Sequence, residues 1–141
     1  MKIGSVVVDC NNFDRMAAFW QEALHYVPRE PAEDGWVVLK DPEDSSPNVS
    51  VNQTSEPKSG KNRLHLDLYT ADQKTEVERL LRIGATLHRL PEEDEDFVVL
   101  ADPEGNLFCV VDKTKPGAGT TILKSSSSDS NGAGRERCNE G

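Results

Sequence analysis

Between residues 63 and 69, leucines at 64, 66 and 68 alternate with Arg63, His65, Asp67 and Tyr69, the period of a strand with one buried and one polar face. Ile3 to Asp9 is a β-branched, mainly apolar run of strand length. From Phe13 to Leu24 the period changes: Phe13, Met16, Ala17, Trp20, Ala23 and Leu24 recur at three and four, predicting a helix over 13–24 opened by Asn11 or Asn12. A short strand at Tyr26 and Val27, a second at 35–40 and a third at 48–52 follow. The last two are joined by a type I turn at Asp41, Pro42, Glu43 and Asp44. This predicts a meander. Residues 54–62 form a polar, turn-rich linker.

The same order then recurs. After the strand at 63–69, Thr70 to Gln73 reads as a capping box for a helix with Val77, Leu80 and Leu81 on its apolar stripe and Gly84 at its end. Strands are predicted at 85–89, 97–100 and 107–111, with an Asp102-Pro103-Glu104-Gly105 turn between the last two. The acids at 92–96 read as a solvated loop. The letters repeat as well as the pattern: the run from Trp36 to Glu43 matches that from Phe97 to Glu104 at an offset of 61, and the first strand lies over the fifth at 60. The expected fold is therefore α+β, two β-α-β-β-β modules in tandem over residues 1–112, facing each other across a cleft. A Gly/Ser-rich, disordered tail is expected over 113–141.

Charge narrows the partners. The formal net charge is −9, and residues 1–112 carry 22 Asp/Glu against 11 Lys/Arg. Such a surface repels nucleic-acid phosphates and anionic lipid. No apolar stretch approaches the roughly 20 residues of a membrane span. Cys10, Cys109 and Cys138 lack a C-x-x-C pairing, so neither disulfides nor a zinc knuckle is expected, and a cytoplasmic location is. His25 reads as a helix C-cap and His88 as a strand-end residue.

Chemistry is expected at the cleft. If the leucines of 63–69 face a helix, His65, Asp67 and Tyr69 face away from it. Laying the first strand over the fifth puts Ser5 opposite His65, and Asn52 or Ser50 opposite Cys109. Ser5, Asn52, His65 and Cys109 would converge from four strands, flanked by Trp36 and Phe97.

The doubled β-α-β-β-β order, the segments NRLHLDL and VVLADPEGNLFCVV, and the internal repeat resemble the vicinal oxygen chelate superfamily of glyoxalase and bleomycin-resistance type, over about residues 1 to 112. In its metal-using members a divalent ion is held by His, Gln or Glu on strands one, four, five and eight. The resemblance implies that His65 is the strand-five ligand, while Ser5 and Cys109 stand where the strand-one and strand-eight ligands are expected. One imidazole with a serine, an asparagine and a thiol is a poor set for a Lewis-acidic ion. The expectation is thus a protein that binds a small molecule without a required cofactor. His65 and Asp67 are its candidate catalytic or anchoring pair, and Ser5, Trp36, Asn52, Tyr69, Phe97 and Cys109 its ligand contacts. The alternative is a metal-dependent lyase or dioxygenase with His65 as a metal ligand, or a metal-free catalyst in which His65 shuttles a proton. A homodimer is implied by the resemblance.

Overall fold

The computed structural model describes residues 1–114, so the expected tail from 115 and its Cys138 lie outside the described residues. The chain divides into two compact units, one of residues 1–60 and one beginning at Lys61, a boundary inside the predicted linker.

In the first unit, β1 (Ser5–Cys10), α1 (Phe13–Leu24), β2 (Val27–Pro28), β3 (Trp36–Lys40) and β4 (Asn48–Gln53) form a sheet of order β1-β4-β3-β2. β1 runs parallel to β4 and the remaining pairs are antiparallel. The cause of α1 is local: Asn12 accepts from the Arg15 N–H at 3.2 Å, and the apolar stripe is buried at Met16, Phe19, Trp20 and Ala23. Phe19, absent from the predicted stripe, meets Trp20 edge-to-face at 5.2 Å. His25 closes the helix in the left-handed conformation with φ 57°, and the Tyr26 N–H reaches back to the Gln21 carbonyl. α1 contacts β3 and β4. Register puts Val6, Val8, Val49, Val51, Val37 and Leu39 on one apolar face, the surface that the apolar stripe of α1 covers.

The second unit repeats this plan. β5 (Leu66–Thr70), α2 (Gln73–Arg82), β6 (Thr86–Arg89), β7 (Phe97–Ala101) and β8 (Leu107–Asp112) give the order β5-β8-β7-β6, again with one parallel pair, β5 and β8. Leu66, Leu68, Phe108, Val110, Val98 and Leu100 share a face, and α2 contacts β8. Gly84 adopts φ 125° beyond α2, and the Ala85 N–H bonds the Leu80 carbonyl as a closed C-cap.

Four sequence expectations are corrected. β5 starts at Leu66, and Leu64 is 86% exposed, because the chain bends at 63–64 before entering the sheet. The cap of α2 is Asp72, which accepts from the Thr75 N–H. Thr70 ends β5, and the Gln73 amide instead bonds the Asp96 and Val110 carbonyls. Leu81 is exposed, leaving Leu80 as the buried anchor of α2. Within the acidic run, Glu95 is not a solvated residue. It forms a two-point ion pair with Arg89 at 2.8 and 3.3 Å and accepts from the Glu92 N–H.

The two Asp-Pro-Glu turns form as predicted, with i to i+3 bonds from Asp44 to Asp41 and from Gly105 to Asp102. Their surroundings differ. Asp102 is 2% exposed, and its carboxylate accepts from the Glu104 and Asn106 N–H groups and from the Asn106 side-chain amide. Asp41 makes three comparable bonds on the surface, to the Glu43 and Ser45 N–H groups and the Ser45 hydroxyl.

Candidate functional site

Register decides which candidates share a surface. In the second sheet Asp67 pairs with Cys109, Tyr69 with Val111, Phe97 with Val111 and Val99 with Cys109. Asp67, Tyr69, Leu107, Cys109, Val111, Phe97 and Val99 therefore lie on one face, opposite the Leu66 and Leu68 face. Phe97, Val99 and Cys109 form a buried apolar cluster there, packed by Leu107 and Val111.

His65 stands at the edge of this cluster. Its Nε2 lies 3.3 Å from Asp67 Oδ1, with the imidazole only 16% exposed. The two groups are thus within ion-pairing range, with Nε2 the nitrogen turned to the carboxylate. The strand causes this arrangement: residues two apart on an extended chain point the same way, so the alternation that lifts Leu66 and Leu68 to the helix face drops His65 and Asp67 together on the other. Asp67 therefore sits where it can orient the ring.

The donor set for a metal is partial. One ligand atom each of His65, Asp67 and Cys109 lies within 4.8 Å of the others. Cys109 is fully buried, as is the free thiol Cys10. The set therefore offers one imidazole, one carboxylate and one buried sulfur, all from the second unit.

The other predicted contacts are placed as follows. Phe97 is buried beneath the Arg89 guanidinium, whose carbon is 5.3 Å from the ring centroid. Tyr69 is 66% exposed, and the Lys113 ammonium sits 4.5 Å from its ring centroid. In the first unit Ser5 Oγ and the buried Ser50 Oγ are 2.6 Å apart, and Asn52 Nδ2 donates to Asp9 Oδ1 at 2.9 Å. Trp36 pairs with Asn52 across the strands. Since Val7 pairs with Ser50 as Asp67 pairs with Cys109, the counterpart of Cys109 is Ser50, not Asn52. Ser5, Trp36 and Asn52 share the face of their sheet opposite Val6 and Val8, so each unit collects its candidates on the surface turned from its helix. Asp9, Val99 and Arg89 were missed. The pairing of Asp9 and of Val99 with flagged positions follows from register, and Arg89 is displaced by a bulge between Leu87 and Arg89.

A cavity of about 610 Å³ opens in the first unit at the start of α1, lined by Asn11, Asn12, Asp34, Gly35 and Gln53 among others. None of the candidate residues lines it.

Known proteins agree with this architecture. The structure of a glyoxalase/bleomycin resistance protein/dioxygenase family enzyme from Burkholderia phytofirmans superposes with TM-score 0.66 at 21% identity, covering 78% of this chain and 97% of that one. A mutant of the fosfomycin resistance protein FosX from Listeria monocytogenes, complexed with Mn(II) and a dihydroxypropylphosphonic acid, gives 0.68 at 10% identity, covering 88% and 98%. A glyoxalase-related enzyme from Fulvimarina pelagi gives 0.60 at 15%, covering 79% and 87%. At such identities the likeness is one of fold. No curated protein matches the chain. The sequence profile of the glyoxalase-like domain matches residues 5–111. With its two β-α-β-β-β modules, the chain belongs to the glyoxalase-like domain family of the vicinal oxygen chelate superfamily.

Proposed function

We propose that this protein binds a small organic molecule on the second sheet, with His65 as the polar anchor and Asp67 fixing its imidazole. One observation carries the reading: a carboxylate-oriented imidazole, 3.3 Å from Asp67, beside the apolar cluster of Phe97, Val99 and Cys109. Ligand sites combine apolar residues with a few placed polar groups, and this face offers the half-buried Leu107 and Val111 over the buried cluster, with His65 as the polar group. With Nε2 turned to Asp67, Nδ1 is the nitrogen left to meet a polar group of the ligand. In a ligand with an acidic C–H or O–H the same nitrogen would be the proton acceptor of a metal-free reaction.

A metal-dependent reading draws on the grouping of His65, Asp67 and Cys109, and on the Mn(II) of the FosX structure. It requires a reduced Cys109. Metal analysis of protein purified with and without reductant separates the readings. The binding reading expects no stoichiometric Zn, Mn, Ni or Fe in either preparation. Stoichiometric metal in the reduced protein, lost in His65→Ala, would replace it by the metal reading. A thermal-shift screen of metabolites and cationic drugs then identifies the ligand, because a molecule at 100 times its Kd adds about 2.7 kcal/mol to the native state. We further propose that the protein forms a homodimer in the cytoplasm. Sedimentation at two protein concentrations tests the dimer.

A further inference from the structure

The first sheet carries a second surface suited to a ligand, and it does not depend on His65. On the face opposite Val6 and Val8, strands β3, β4 and β1 align Trp36, Asn52 and Asp9 in one row, with Val38, Ser50 and Val7 in the next. Trp36 is 41% exposed and Val7 50%, Asp9 is exposed and Asn52 half-buried, while Val38 and Ser50 are buried, so the open part of this face is the row of Trp36, Asn52 and Asp9, with Val7 beside it. Asn52 uses its amide nitrogen on Asp9 Oδ1, which leaves Asn52 Oδ1 and Asp9 Oδ2 as acceptors in that row. At roughly 4.8 Å between strands, the row spans about 10 Å from an aromatic surface through an amide oxygen to a carboxylate.

This order of groups specifies its ligand by chemistry. Trp36 offers a π-face for a flat ring, and the two oxygens ask for N–H donors. A negative partner is disfavoured, since residues 1–60 carry ten Asp/Glu against five Lys/Arg. Lys40, the cation on this face, is held by Asp44 at 3.4 Å and so does not neutralise Asp9. The second unit makes an analogous contact within its own chain: the Lys113 ammonium rests over Tyr69, whose face is shared with Asp67. We infer that the Trp36, Asn52 and Asp9 row binds planar organic cations of amidinium or guanidinium type, stacked on Trp36 with their N–H groups directed to Asn52 and Asp9.

The test is an NMR titration of the 15N-labelled full chain with three isosteres, benzamidine, benzamide and benzoate. Benzamidine is expected to shift the Trp36 indole N–H and the Asn52 side-chain amide saturably, binding at least tenfold more tightly than benzamide, with benzoate inert. Asp9→Asn is isosteric at an exposed carboxylate and should leave the remaining spectrum in place. It should bring benzamidine to within about twofold of benzamide, and Trp36→Ala should abolish both. Equal binding of benzamide and benzamidine, undiminished selectivity in Asp9→Asn, or shifts confined to other residues would overturn the inference. So would the absence of shifts at millimolar benzamidine.

Discussion

Asp41 and Asp102 occupy the same place in two copies of one turn, and replacing each by alanine should have very different consequences. Asp102→Ala removes an acceptor used by the Glu104 N–H, the Asn106 N–H and the Asn106 amide at 2.8 to 3.0 Å, at a site 2% exposed. Hydrogen bonds to a charged acceptor contribute about 1.5–3 kcal/mol each, and an orphaned buried donor costs its desolvation. Three such bonds, discounted for non-additivity and for water entering beside half-buried Glu104 and Asn106, give a loss of about 3–5 kcal/mol. Asp41→Ala removes as many bonds, but on the surface, where water replaces the carboxylate. Its cost should be a small fraction of the other. Urea unfolding followed by far-ultraviolet circular dichroism reads the contrast. With m near 2 kcal/mol/M, Asp102→Ala should lower its unit's midpoint by roughly 2 M. Equal shifts for the two variants would refute the claim that burial, not turn sequence, sets the value of this aspartate.

Further outcomes follow from other residues. Gly35→Ala places a Cβ 2.8 Å from both the Gln53 Cβ and Oε1, at φ +72°, so it should destabilise the first unit by about 1–3 kcal/mol, measured by thermal unfolding. Trp20→Ala empties the centre of the α1 contact, where Trp20 is almost fully buried, and should cost about 3–5 kcal/mol. The Asp41 carboxyl is held below its ordinary 3.8, chiefly by the Ser45 hydroxyl and then by the Glu43 N–H. Its folded pKa being the lower, this contribution is present above pH 3.8 and is lost as pH falls through the folded value. Asp41→Asn should therefore flatten the acid limb of a stability–pH curve. Burial pushes the Tyr26 hydroxyl above 10, opposed by its bond with Ser46, so stability from this group is present below pH 10 and lost as pH rises through the folded value. Tyr26→Phe should weaken that alkaline loss.

The parts of the fold legible in the sequence are those whose causes are local. Helix α1 runs over the predicted residues because Asn12 and the apolar stripe act within a few residues of each other. The Asp-Pro-Glu turns are equally local, and their repetition exposed the doubled topology. Alternation also placed His65 beside Asp67. What the sequence concealed depends on contacts between distant residues. Thr70 carries a plausible cap letter, yet Asp72 caps α2, because β8 needs Thr70 as a strand residue paired with Asp112. Glu95 looked like one acid among five until Arg89 faced it. Whether Ser50 or Asn52 matches Cys109 is a question of register, and only the pairing of β1 with β4 answers it.

The central claim is that His65, oriented by Asp67, anchors a small molecule. Calorimetric titration of the strongest thermal-shift hit into the wild type, His65→Ala and Asp67→Asn tests it most directly. The account predicts a loss of at least tenfold in affinity for His65→Ala and a smaller loss for Asp67→Asn, with all three proteins folded by circular dichroism. Unchanged affinity in His65→Ala would contradict it.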